Sequence, residues 1–198
     1  PNHRPALELA QRNLRSLAPD SVSARAGVEL RTEPSGLEFR FRILAREYRV
    51  PFPRCLVYDA TTGAEAGVSP TLVALHYLMT ANGSPIRNEW VPFRAIPGGD
   101  VYAAAFRRRS VDPLLGAFAS DPDSLRRACE ALGGVPANMG DLSYTFAALP
   151  RLPMACVLWL GDEEQGAEAS VLFDAVAPSY LPTEDLAAMG SMIAFGLI

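Results

Sequence analysis

Three groups of side chains and one cationic run in this sequence carry enough polarity for chemistry. The densest group is Gly161-Asp162-Glu163-Glu164, with Glu168 close behind. Carboxylates this close repel one another unless water solvates them or a cation shares them, so Asp162 and Glu163 are candidate ligands for Mg²⁺ or Ca²⁺. The alternating ligands and the twelfth-position glutamate of an EF-hand loop are missing. A solvated loop between two apolar strands accounts for the same residues. Asp174 interrupts the apolar stretch Ser170–Val176. If the strands on either side of the acidic loop pair, it falls roughly opposite Cys156. There a carboxylate would be buried with a raised pKa unless it met a partner such as Arg151. Asp174 thereby joins Asp162 and Glu163 as a candidate metal ligand. A solvent-facing place on an edge strand, or acceptance of backbone N–H groups, is the alternative.

His76 is one of two histidines and shares a helical face with Leu72 and Met79. Next to Tyr77 it is placed to ligate a metal-bound cofactor or to act as an acid or base, or to sit as a satisfied core histidine. With only two histidines, a three-ligand catalytic zinc site is nearly excluded. Arg107-Arg108-Arg109 reads as a solvated helix end or as a contact for an anion or acidic partner. All 18 basic residues are arginine, which excludes lysine Schiff-base and P-loop chemistry. Neither a Gly-x-Ser-x-Gly elbow nor a Gly-x-Gly-x-x-Gly loop is present. With 22 acidic residues, a net charge of −4 and a pI near 5.2, the chain has no basic excess to hold a nucleic acid.

The elements that must position these groups follow from periodicity. Leu7, Ala10, Leu14 and Leu17 form one stripe of a helix over 6–18. Leu37, Phe39, Phe41 and Ile43 alternate with charged residues, and Tyr48, Val50 and Phe52 continue the pattern, predicting a hairpin over 37–53. Ser69-Pro70 and Asn82-Gly83 bracket an apolar helix, 71–81. Pro97-Gly98-Gly99-Asp100 reads as a turn. Asp112-Pro113 and Asp121-Pro122 open two further helices, the second running to Leu132 before Gly133-Gly134. Strands are expected around 144–148, 154–160 and 171–176. Thr183 with Glu184 and Asp185 starts a last helix whose Leu186, Met189, Ile193 and Leu197 face inward.

The 198 residues are 49% hydrophobic and 20% charged, a globular composition. Strands and helices in uneven order predict one α+β domain over 1–198, mainly antiparallel sheet packed with several helices. Cys55, Cys129 and Cys156 are too scattered for a disulfide framework or a metal clip. Together with arginines and a glutamate among residues 1–16, and an uncharged C-terminal tract of only thirteen residues, they lead to the expectation of a cytoplasmic protein without a membrane span.

A run of motifs also resembles a known family: Leu149-Pro150-Arg151-Leu152-Pro153, Trp159, Gly161-Asp162-Glu163-Glu164, Asp174 and Tyr180-Leu181-Pro182-Thr183-Glu184, preceded by Tyr77-Leu78, Gly83, Trp90-Val91, Phe93, Tyr102, Phe106, Gly133-Gly134 and Gly140-Asp141. The family is a domain of unknown function found largely in anaerobic bacteria and archaea, whose members are often labelled iron–sulfur cluster proteins. The resemblance spans roughly residues 5–190 and implies a context of anaerobic redox or cofactor metabolism. Three scattered cysteines do not supply the four thiolates of a cluster, so no cluster ligand is carried over. The leading expectation is a non-catalytic accessory or ligand-binding protein that recognises an iron–sulfur or corrinoid partner, or a corrinoid- or tetrapyrrole-like cofactor. Its pocket would gather His76, Tyr77 and Trp90, with Asp141 and Arg151 as polar anchors. Two alternatives stand beside it. One is a divalent-metal hydrolase or acid/base enzyme using Asp162, Glu163 and Asp174. The other is a homodimeric interaction module completed by the C-terminal helix.

Overall fold

In the computed structural model, which describes residues 3–162 and 164–198, the chain is α+β as expected, its antiparallel strands divided between two sheets. It opens with α1 (Arg4–Arg15) and α2 (Pro19–Ala26) where a single helix over 6–18 was expected. Pro19 lacks an N–H to continue the first helix and instead starts the second. The first sheet follows as β1 (Glu29–Glu33), β2 (Gly36–Ile43), β3 (Arg46–Phe52) and β4 (Tyr58–Asp59), in that spatial order. Alternation places Phe39, Phe41 and Ile43 on the buried face of β2. Its turn to β3 is made by Leu44 and Ala45, with Leu44 in the left-handed region at φ +52°.

Helix α3 (Val68–Thr80) begins three residues before the expected start and is capped by Gly67. After β5 (Trp90–Pro92), the glycine pair expected as a turn instead opens α4 (Gly99–Phe106). Gly98 enters it at φ +76°, and a side chain on Gly99 would collide with the carbonyl of Phe93. The arginine run is not a helix end either. It forms a π turn (Arg107–Val111) that passes directly into α5 (Asp112–Phe118), and Asp112 pairs with Arg107 at 3.0 Å. Asp121 caps α6 (Pro122–Ala131) as its sequence predicts, accepting from the Ser124 N–H at 3.1 Å.

The second sheet has the order β5-β9-β8-β7-β6, from β6 (Val135–Pro136), β7 (Leu142–Leu149), β8 (Leu152–Trp159) and β9 (Glu168–Asp174). β8 lies in its centre and is almost wholly buried, as its seven-residue apolar run requires. Helix α7 (Thr183–Leu197) buries Leu186, Met189, Ile193 and Leu197. Phe93, Phe106 and Phe173 join β5–β9 to α4, the first two stacked at 4.2 Å between ring centres. All three cysteines are free and buried, and burial pushes the Cys129 thiol up to about 12. No described helix is long and apolar enough to cross a membrane.

Candidate functional site

The register of the second sheet decides the place of Asp174. Cys156 faces Val171, not Asp174, because pairing across the acidic loop begins at Trp159 and Glu168. Asp174 sits three residues further on, at the end of β9 opposite Trp90 of β5, and is fully buried. Its carboxylate accepts from the backbone N–H groups of Arg87 (3.1 Å), Asn88 (2.6 Å) and Val176 (2.8 Å). Arg151 is not its partner. These bonds bring the loop before β5 onto the sheet and satisfy donors that would otherwise be stranded.

Arg151 belongs to a second pin, with Tyr77. The Tyr77 hydroxyl donates to the carbonyl of Ala26 (2.6 Å) and accepts from the backbone N–H of Arg151 (3.0 Å), tying α3 to α2 and to the β7–β8 turn. Its ring stacks on Tyr180 at 5.7 Å, and the Tyr180 hydroxyl donates to the carbonyl of Ser84. Burial pushes the Tyr77 phenol far above its ordinary pKa, so it holds its proton and acts as a structural donor. The Arg151 side chain lies against Gly27, where a Cβ would come within 2.6 Å of its Nε.

His76 points away from this pin. On a helix its neighbour Tyr77 lies about 100° round the axis, so one faces the core while the other faces α7. The His76 Nδ1 and Asp185 Oδ2 are 2.5 Å apart, both side chains partly exposed. The hydrogen bond to Asp185 raises the His76 pKa, against an opposing effect of burial. The imidazolium form is thereby favoured, as expected for a charged clamp between α3 and α7.

The remaining expected residues lie elsewhere. Asp141 accepts from the Leu160 N–H (2.8 Å) and closes the end of β7 against β8. Asp162 folds its own loop, one carboxylate oxygen accepting from Glu164 and Gln165 N–H groups at 2.8 Å each, and these bonds lower its pKa. Glu163 lies outside the described residues. Asp162 precedes β9 and Asp174 ends it, so a strand of about 20 Å separates them. They do not form one metal site, and no cluster of three or more His, Cys, Asp or Glu arranged to hold a metal ion occurs among the described residues. Tyr77 and Arg151 are brought together, whereas no hydrogen bond or ring contact among the described residues joins His76, Trp90 or Asp141 to them.

A cavity that combines unpaired charge with an apolar floor lies along α7. Thr183 donates to the carbonyl of Pro97 (2.7 Å) at one end, and the hydroxyls of Ser110 and Ser191 meet at 3.3 Å at the other. Between these points α7 runs beside α4 and the π turn. Gly190 permits the approach, since a Cβ there would collide with the Phe106 ring. The groove holds about 230 Å³ and is lined by Tyr102, Phe106, Arg109, Glu184, three alanines and Ser191, with Thr183 at its mouth. Arg109 is exposed and has no ion-pair or hydrogen-bond partner among the described residues. Such a cleft can hold a small anion-bearing molecule by its guanidinium, with the aromatic ring and the alanines against the apolar part.

A family model described as "Domain of unknown function (DUF3786)" matches residues 18–195. The chain belongs to this family. No curated protein and no solved structure matches it. The match to the DUF3786 domain covers every element from α2 through most of α7, and therefore both the buried pins and the α7 groove.

In this DUF3786 chain the groove residues were not legible as a set. Tyr102, Phe106 and Arg109 are spaced like one helical stripe, but the π turn shifts the register just where Arg109 leaves α4. The arginine run itself was the available signal. It could not indicate which of its three side chains faces α7.

Proposed function

We propose that this protein is a non-catalytic, ligand-binding accessory module, working in the cytoplasm in the setting of anaerobic redox or cofactor metabolism that its family resemblance implies. The observation that carries the reading is the α4–α7 groove, with the unpaired Arg109 on one wall and Tyr102 and Phe106 beside it. The groove holds about 230 Å³, room for a small anionic ligand or for a side chain presented by a partner. That size favours recognition of an iron–sulfur or corrinoid protein over enclosure of a free corrinoid. A thermal-shift panel of small carboxylates and phosphates tests it. At least one compound is expected to raise the melting temperature of the wild type and of Asp162→Asn but not of Arg109→Ala. Failure of every compound, or a shift that survives in Arg109→Ala, contradicts the reading.

A second reading has one observation in its favour. The His76–Asp185 pair is partly exposed, so an acid/base role for His76 is chemically open. Loss of any detected activity in His76→Gln, at unchanged stability, would support it. The metal-hydrolase version built on Asp162, Glu163 and Asp174 has no comparable support, because Asp162 and Asp174 stand at opposite ends of β9 with their oxygens on backbone amides. A homodimer through the end of α7, where Phe195 is 69% exposed, is a further reading that analytical ultracentrifugation at graded concentration would detect as a rising sedimentation coefficient.

A further inference from the structure

The α4–α7 groove carries two unpaired charges of opposite sign, and its geometry holds them apart. Thr183, the first residue of α7, donates to the carbonyl of Pro97 just before α4. Ser191, two turns further along α7, meets Ser110 of the π turn that follows α4. The two helices therefore run parallel, starting together at one end of the groove. The α7 wall is formed by Glu184, Ala187, Ala188 and Ser191, whose spacing places them on one helical face. Glu184 stands at the starting end. Arg109 adjoins Ser110 and enters at the Ser191 end, about 10 Å away along the axis by the rise per residue.

Arg109 and Glu184 are both exposed, and among the described residues they make no hydrogen bond or ion pair, with each other or with any third group. Glu184 helps to raise the His76 pKa, but His76 bonds Asp185, the next residue round the helix axis. Between the two charged ends the lining is Ala105, Phe106, Ala187 and Ala188, with no polar side chain. A ligand with an anionic group alone, seated on Arg109, would extend its other end toward the Glu184 carboxylate and gain nothing there. A ligand with a cation alone would meet the converse at Arg109. A molecule carrying both signs, joined by an apolar stretch, matches the whole groove.

Building on the ligand-binding reading of this groove, we propose that its ligand is a small zwitterion, with an anionic group on Arg109, an ammonium group on Glu184 and a short apolar spacer across the alanines and Phe106. The guanidinium holds a carboxylate through two parallel N–H bonds, and the Glu184 carboxylate accepts from the ammonium. Tyr102, 47% exposed in the first turn of α4, stands at the ammonium end, where an aromatic ring favours a cation. The separation of the two charged ends sets the specificity. An α-amino acid, whose two charges flank a single carbon, reaches one end of the groove and not the other.

Calorimetric titration of the full chain with glycine, ω-aminobutyrate and ω-aminohexanoate, beside butyrate, hexanoate, butylamine and hexylamine at neutral pH, tests the proposal. The better of the two ω-amino acids is expected to bind wild type at least tenfold more tightly than glycine, and than the acid or amine of its own chain length. Glu184→Gln should bind that ω-amino acid no better than the matching acid, and Arg109→Ala no better than the matching amine. Both substitutions change exposed side chains, and equal urea unfolding of the variants and wild type shows that the fold is kept. An acid that binds wild type as tightly as its ω-amino counterpart, with both lost in Arg109→Ala, overturns the zwitterion and leaves the anion-binding reading standing. A preference for the ω-amino acid that survives in Glu184→Gln also overturns it, as does binding by none of these compounds, whatever the wider carboxylate and phosphate panel gives. Binding that Arg109→Ala does not weaken overturns the zwitterion and the reading together.

Discussion

Asp174 and Arg109 are both charged, and they stand in opposite situations. Around Asp174 and Tyr77 each buried polar side-chain atom ends on a partner within the chain, and no described buried side-chain polar atom lacks one. Along α7, Arg109 and Glu184 face a shared groove without closing on each other. Buried charge must be satisfied internally or it unfolds the domain, so the first group is architecture. Charge left unpaired over an apolar floor serves no structural bond, and is available to a ligand. Depth of burial alone would have selected the wrong residues.

The sharpest break of this comparison is Asp174→Ala. It strands three backbone N–H groups, two of them holding the loop before β5, and should cost about 3–5 kcal/mol in urea unfolding. A cost below about 1 kcal/mol would mean that water replaces the carboxylate. Gly190→Ala comes next, because its Cβ would displace the Phe106 ring and part α7 from α4; about 1–3 kcal/mol is expected, together with loss of the groove's ligand. Unaltered ligand affinity in that variant would place the site elsewhere.

His76→Ala sharpens the comparison through pH. Asp185 raises the His76 pKa in the folded state above its unfolded value near 6.5, so the pair's contribution is fully present below about pH 6.5 and is lost as pH rises through the raised value. The variant should lose about 1 kcal/mol at pH 5.5 and progressively less toward high pH, by urea titration at each pH. A cost that does not vary with pH would assign His76 a packing role only. Arg109→Ala should be the mildest, within about 0.5 kcal/mol of wild type, since no described bond depends on its side chain.

The sequence carried much of this architecture openly. Period-two alternation marked β2 and β3, a seven-residue apolar run marked β8, and Asp121 announced α6. What stayed hidden depends on contacts distant in the chain. Asp174 finds amides 86 and 87 residues away, and nothing near either segment advertises the match. β5 has three residues, too few for any period to register. The π turn adds a residue per turn without changing composition, so Arg107-Arg108-Arg109 reads in sequence as a solvated helix end. His76 was found as a residue, but Asp185, which sets its charge, lies 109 positions later.

The most direct test of the central claim is the mass of anoxically purified protein, native against denatured, for wild type and Arg109→Ala in one spectrometer. The account predicts a small excess mass on the native wild type that is missing from native Arg109→Ala. A native wild type without added mass, or an excess that Arg109→Ala retains, would contradict it.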